Sequence, residues 1–410
     1  MFDRVILHVD LNNCFASIEL LDKPELRSSP FAVCGSVDDR HGIILAKNEV
    51  AKAYGVKTAE TLWQARQKCP GLVTVPPQHR KYAHYSRLAL ALYQNYTDCV
   101  EPFGIDECWL DVTGSVPLLG DGETLAQQIR LQIKQELGLT VSVGISFNKV
   151  FAKLGSDLKK PDAVTLISRQ NFKKIIFPLP VEQMIGVGRV TAKKLHSFGI
   201  YTLGDLATAD RFFLEQSLGK AGIKLAQAAA GEDLSPVVAT GSAGGGGETA
   251  SKSMGRGITC RENLLNEEEV GRIFIALSQE LSDGLHRAGY RAGGLQIAIK
   301  DSDFRSRQVQ TQLSRPSRSE QVLYREALGL FKAHYRWEKP VRALTITAIQ
   351  LTDETNSGRQ ISFFDRRSVG AKEERLDETL YDLRRRFGAD IVERASRKID
   401  NKLPRQMKDK

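Results

Sequence analysis

Phe103-Gly104-Ile105-Asp106-Glu107-Cys108-Trp109-Leu110-Asp111 is the stretch that decides the fold. Gly104 suits a tight hairpin turn, and Glu107–Val112 reads as the strand returning from it. Successive side chains of a strand point to opposite faces, so Asp106 and Glu107 put one carboxylate on each side of the pleat edge. Upstream, Arg4-Val5-Ile6-Leu7-His8-Val9-Asp10 is a short apolar run suited to a buried strand, and it too ends in an aspartate. If the two strands are neighbours, that aspartate joins the pair. Three carboxylates at strand ends can hold one or two hard divalent cations through oxygen. Two such ions about 3.5–4 Å apart can activate a 3′-hydroxyl and stabilise a pyrophosphate leaving group. Taken alone, an Asp-Glu pair serves equally as solvated charge in a turn.

Further out, the pattern alternates strands and helices. A helix is expected near Phe15–Leu21, and others at Tyr82–Tyr96 and Leu125–Leu137, where Leu125, Ile129 and Ile133 recur every four residues. Thr140–Ile145 alternates as a strand, and Asn148–Leu158 reads as a helix ended by Pro161. Residues 168–232 lose strand character and become short helices. Ser235–Lys252, with glycine at each of 244–247, reads as a flexible linker. After it the order is strand (253–260), helix (267–287), strand (292–300), strand (306–313), helix (319–335), strand (341–351). This βαββαβ order builds an antiparallel sheet with helices on one face. Residues 371–400 are charged and expected helical, and the polar tail 401–410 is expected to fray.

Composition sets the outer limits. At roughly 100–200 residues per domain, 410 residues imply two to four domains. With 41% hydrophobic and 26% charged residues, wholesale disorder is excluded. No run of about 18 apolar residues occurs, which excludes a transmembrane helix. The first ten residues lack a signal peptide's basic and apolar regions. The six cysteines are scattered without a C-x-x-C pair, which argues against a zinc site and suggests reduced thiols in a cytoplasmic protein. The net charge is +9, and residues 251–410 hold 31 basic against 23 acidic side chains, whereas 1–250 hold 27 against 26. The surplus after the linker suits contact with a polyanion, or simply a soluble basic surface.

Three segments in order resemble the Y-family (DinB/UmuC-type) translesion DNA polymerases. His8-Val9-Asp10-Leu11-Asn12-Asn13-Cys14-Phe15-Ala16-Ser17-Ile18-Glu19 is similar to the family's opening motif. Gly104-Ile105-Asp106-Glu107 stands where the family usually has Ser-Ile-Asp-Glu. Val143-Gly144-Ile145-Ser146-Phe147-Asn148-Lys149-Val150-Phe151-Ala152-Lys153-Leu154, followed by Lys159-Lys160-Pro161, is the third match. The resemblance runs from residue 1 to about 400. It implies an α+β, multidomain right-hand polymerase. The ferredoxin-like palm would take residues 1–25 and 76–167, and the small fingers 26–75. A helical thumb with a helix-hairpin-helix would follow at 168–234, then the linker (235–252) and a βαββαβ little finger (253–352). A clamp-binding segment and C-terminal helix or tail would occupy 353–410.

The implied activity is low-fidelity, template-directed transfer of nucleotides from dNTPs to a primer 3′-OH, with two Mg²⁺ ions that Mn²⁺ can replace. Asp10, Asp106 and Glu107 match the metal-binding carboxylates, and the Leu11 carbonyl would complete one ion's shell. Phe15 matches the steric gate, whose ring fills the space of a ribose 2′-OH. Cys14, Phe15, Lys52 and Lys160 match dNTP-contacting positions, with Lys159 a competitor for the role of Lys160. The fingers depart from the DinB pattern. Glu49 and Lys52 stand where many relatives carry Tyr and Arg, and the segment is closer to the UmuC branch. Met184 to Leu195 resembles a helix-hairpin-helix, in which the turn at Gly186 and Gly188 exposes backbone N–H groups beside Lys193 and Lys194. Arg291, Lys300, Arg305 and Arg307 flank little-finger strands and are expected near a duplex backbone. Gln360-Ile361-Ser362-Phe363-Phe364 resembles the pentapeptide that binds the bacterial sliding clamp. The expected partners are primer–template DNA, dNTP and that clamp, with no membrane and a monomeric state. The alternative is a catalytically silent DNA- and clamp-binding adaptor on the same fold. Such relatives lose the carboxylates, and all three are present here.

Overall fold

Strand Ile6–Leu11 is buried over its whole length because it lies in the middle of a five-stranded sheet. The sheet order is Val100–Phe103, Glu107–Asp111, Ile6–Leu11, Val141–Ser146, Val164–Ile167. The pairings are antiparallel except the last, which is parallel. The computed structural model of the chain describes residues 4–38, 40, 42–239, 252–353, 367–388, 391–392 and 402–403. It divides into two compact units, Met1–Gly35 with Ile43–Glu248, and Ser36–Gly42 with Thr249–Lys410.

The period-2 pattern of the first strand sorts its side chains between two layers. Leu7, Val9 and Leu11 pack with Tyr82, Ala89 and Tyr93 of helix His79–Tyr93 and with Leu125, Ile129 and Ile133 of helix Gly122–Leu137. Ile6 packs with Ala152 of helix Lys149–Leu158 on the other face, where His8 Nδ1 lies 2.8 Å from Ser156 Oγ. Asp10 follows the same phase as Ile6 and His8. Helix Lys149–Leu158 lies directly on the sheet at Gly144, where a Cβ would stand 1.9 Å from the Ala152 carbonyl oxygen and 2.4 Å from the Ser156 nitrogen. Only glycine permits that approach.

The rest of this unit is built on smaller cores. A three-stranded sheet, Ile44–Lys47, Phe31–Cys34, Val73–Val75, carries helices Glu49–Ala53 and Leu62–Lys68 around Ala32, Ile44, Ala51 and Ala65. Residues 172–229 form short helices around Ile176, Leu195, Leu203, Leu206 and Leu214, as the Gly-punctuated sequence suggests.

The second unit is a four-stranded antiparallel sheet, in the order Ser306–Ser317, Tyr290–Asp301, Val341–Asp353, Ser253–Leu264. Helices Glu267–Ala288 and Glu320–His334 share one core with it, so the βαββαβ order holds. Near the end of the chain one expectation holds where residues are described and one needs correction. The expected C-terminal helix spans Arg367–Phe387, residues 393–400 lying outside the described residues, and its Arg384 grips Asp283 through two bonds of 2.6 and 3.0 Å. The tail is not frayed at 402–403. Lys402 accepts a backbone bond from Arg261 at 3.0 Å and donates its ammonium to Glu269 at 2.6 Å, while Leu403 is 4% exposed in the core. Two isolated apolar side chains, Leu403 and Met407, in a short polar string are too few to establish a period, so the docking could not be read from sequence.

Candidate active site

Strand pairing brings the three carboxylates together. Asp10 stands opposite Glu107 in the register, and the Leu11 N–H donates to the Asp106 carbonyl at 2.9 Å. Gly104 has φ +86°, a left-handed conformation that turns the hairpin so that Asp106 closes the turn and Glu107 begins the returning strand. Helix Lys149–Leu158 and the loop after it supply cations. Lys160 Nζ lies 2.7 Å from Asp10 Oδ2 and 2.8 Å from Asp157 Oδ1. Lys153 Nζ lies 2.8 Å from Glu107 Oε2, and His8 Nε2 lies 3.2 Å from the same oxygen.

The electrostatics of these groups follow from burial and neighbours. Burial pushes Asp10 above its ordinary value against the pull of Lys160. Burial, then the charge of Glu107, pushes Asp106 in the same direction. Burial would raise Glu107 as well, but His8 and Lys153 outweigh it and hold Glu107 below the usual carboxylate range. Burial holds the His8 imidazole down, against the influence of Glu107. Burial thus dominates at Asp10 and Asp106, and the neighbouring cation and imidazole dominate at Glu107.

The chemistry of the donors is the test of fit for a divalent ion. The donors are hard oxygens only, as Mg²⁺ requires, and the buried Asp10 already takes an ammonium as its counter-charge. Among the described residues no three His, Cys, Asp or Glu side chains are gathered closely enough to hold a metal ion by themselves. The arrangement is an open edge partly neutralised by lysines, and its donors fit the ion.

Around this edge the nucleotide-site residues are distributed unevenly. Lys160, not Lys159, reaches the carboxylates. Its loop is latched: the Asp162 N–H donates to Asn12 Oδ1 at 2.9 Å, and the Asp162 carboxylate binds Arg130 at 2.7 Å and Lys134 at 3.0 Å. Burial opposes ionisation of Asp162, but these two cations hold it below its ordinary value. Phe15 is half-buried and stacks on Tyr82 with ring centroids 4.1 Å apart. Cys14 is 4% exposed in the core, and burial pushes its thiol up to about 12, so its sulfur is a packing group. Lys52 pairs with Glu49 at 3.4 Å, and Glu49 also accepts from Asn13 Nδ2 at 3.0 Å. The latch residues Asn12, Arg130 and Asp162, and the pair Lys153 and His8, escaped the sequence reading. Each acts through a neighbour distant in sequence, and only strand register or helix docking reveals it.

The other expected sites are less uniform. Gly186 has φ +90°, and Gly188 caps helix Arg189–Ser197 with open space around its Cα and no capping side chain. Lys193 is exposed, while Lys194 donates to the Ser217 carbonyl. Arg307 donates to the His334 carbonyl at 2.9 Å, closing the end of helix Glu320–His334, whereas Arg305 is exposed in the preceding turn. Arg291 is half-buried at a strand start. Gln360–Phe364 lies outside the described residues.

Comparison with known proteins adds to this geometry. Residues 9–157 match the impB/mucB/samB family, residues 251–363 its C-terminal domain, and residues 169–200 the helix-hairpin-helix motif of the IMS family. The chain is 46% identical to the DNA polymerase IV of Acetivibrio thermocellus, covering 95% of this chain and 96% of that protein. It is 35% identical to DNA polymerase IV 1 of Bacillus subtilis, covering 96% and 93%. Among solved structures, a Y-family DNA polymerase chimera superposes with a TM-score of 0.75 at 23% identity, over 85% of this chain and 99% of that one.

Proposed function

The chain belongs to the impB/mucB/samB family and is a translesion DNA-directed DNA polymerase, and on that premise we propose two-ion nucleotidyl transfer at the edge formed by Asp10, Asp106 and Glu107. Its substrates are DNA and dNTP, and its chemistry depends on a divalent metal. Bound Mg²⁺ ions would lower the barrier by acidifying the primer 3′-hydroxyl and neutralising the leaving pyrophosphate. Everything else is the work of the chain's own residues. Asp10 and Asp106 would hold both ions, with the Leu11 carbonyl as a further oxygen and Glu107 at the side of attack. Lys160, latched through Asp162, would take a triphosphate oxygen as a compact point charge. Phe15 would exclude the 2′-OH of a ribonucleotide. Lys52 would reach the triphosphate only by leaving Glu49, a weaker arrangement than the Tyr and Arg of many relatives.

The observation carrying this reading is the register that sets Asp10 opposite Glu107 while Lys160 sits on Asp10. For the duplex, the helix start at Gly188 offers uncapped N–H groups to a phosphate. The outer face of the second unit's sheet carries Gly255, Gly257, Gln296, Ala298, Thr345 and Thr347, a smooth surface without acidic groups that suits a grip indifferent to sequence. A clamp partner read from Gln360 to Phe364, a monomeric state and a cytoplasmic setting belong to the same proposal. Primer extension with dNTPs over a Mg²⁺ titration tests it. Wild-type protein should extend the primer, and Asp10→Asn should lose at least about a hundredfold in rate. No extension with any divalent ion would overturn the reading.

A further inference from the structure

Phe15 and Glu19 stand four residues apart on helix Cys14–Glu19, hence on one side of it. Tyr82 of helix His79–Tyr93 touches both. Its ring stacks on Phe15 at 4.1 Å with an interplanar angle of 18°, and its hydroxyl donates to Glu19 Oε1 at 2.7 Å. The other oxygen of Glu19 accepts from Gln78 Nε2 at 3.0 Å and Lys23 Nζ at 3.5 Å. Glu19 and Tyr82 are both 0% exposed. His79 meets the edge of the Phe15 ring at 5.9 Å.

A buried carboxylate needs a reason. Packing does not supply one, because an apolar side chain of similar volume would serve the core equally well. What the carboxylate adds is direction. A charge-assisted O–H···O bond is short and oriented, and it fixes the far end of the Tyr82 ring. The Tyr82 ring is thus held at both its hydroxyl and its face, and the Phe15 ring lies nearly parallel to it. The difference the Phe15 ring must sense is one oxygen atom, and a misplacement of about 1 Å is enough to change such discrimination strongly.

We propose that Glu19 is a positioning residue for sugar selection: through the Tyr82 hydroxyl it fixes the Phe15 ring and so sets how strictly ribonucleotides are refused. This rests on the reading of Phe15 as the gate.

The test is single-nucleotide incorporation by the full chain, giving kcat/KM for matched rNTP and dNTP. The proteins are wild type, Tyr82→Phe, Glu19→Gln, Phe15→Ala and the double variant Tyr82→Phe/Phe15→Ala. Tyr82→Phe keeps the stack and loses only the anchoring bond, so the rNTP/dNTP ratio should rise about tenfold. Glu19→Gln keeps an acceptor without the charge and should raise the ratio by less. Phe15→Ala should raise it most, and adding Tyr82→Phe to it should change nothing more. If Phe15→Ala raises the ratio and Tyr82→Phe does not, the positioning claim fails and the gate stands. An effect of Tyr82→Phe that persists without Phe15 also overturns the claim. If Phe15→Ala leaves the ratio unchanged, the gate reading itself fails. A loss of thermal stability in Glu19→Gln with the wild-type ratio in both single variants would leave Glu19 as a structural group only.

Discussion

Asp162 shows how much one residue outside the reacting edge can carry. Its carboxylate is held by Arg130 and Lys134, and its N–H by Asn12, two positions beyond Asp10. With φ +54° it sits at a turn of the backbone just after Lys160. Asp162→Ala releases both cations and loosens that turn, so the dNTP KM should rise by about tenfold while kcat changes much less. Steady-state incorporation with varied dNTP decides this, and an equal fall in kcat would assign Asp162 to the chemistry instead. At this scale the sequence was informative where chemistry is local. Asp10, Asp106, Glu107, Phe15 and Lys160 could be proposed from sequence because each lies in a motif of fixed spacing. The lysine and histidine partners of Glu107, the latch on Lys160 and the Tyr82 stack could not, because each bridges elements far apart in the chain. Arg307 was legible as a charge but not as a helix-end donor, since an arginine beside a strand looks the same in either use.

Among the elements, helix Lys149–Leu158 bears most directly on the site. It supplies Lys153 and Asp157, contacts His8 through Ser156 and leads into Lys160. Its seat is Gly144, where the backbones are too close for any Cβ. Gly144→Ala should therefore destabilise the first unit by about 3 kcal/mol, at the upper end of the cost of overpacking. Thermal or denaturant unfolding measures it, and a change below about 0.5 kcal/mol would contradict so close an approach. The elements of the second unit and the longer helices of the first were legible from their period, whereas the short strands and helices of residues 31–75 were not. Nor was the docked Leu403. Deleting residues 401–410 removes that side chain from the core of the second unit and should cost about 2 kcal/mol, seen as a lower unfolding midpoint. An unchanged midpoint would mean that the tail contributes nothing.

For the whole molecule, charge is the variable that sequence alone reads best. The net +9 is concentrated beyond residue 250. Binding to a primer–template duplex should weaken steeply as salt rises, with little dependence on base sequence. Fluorescence anisotropy between about 50 and 200 mM salt tests this, and a flat response would remove the backbone grip. Composition could announce a polyanion partner but not the duplex. That required the carboxylate edge, and the edge required strand register, which places Asp10 beside a hairpin almost a hundred residues away. The most direct measurement is single-nucleotide incorporation on a primer–template with Mg²⁺ and a matched dNTP, wild type beside Asp106→Ala. The expected result is rapid extension by the wild type and at least about a hundredfold less by the variant, with duplex affinity retained. Extension by Asp106→Ala at the wild-type rate would contradict the assignment of the carboxylate edge.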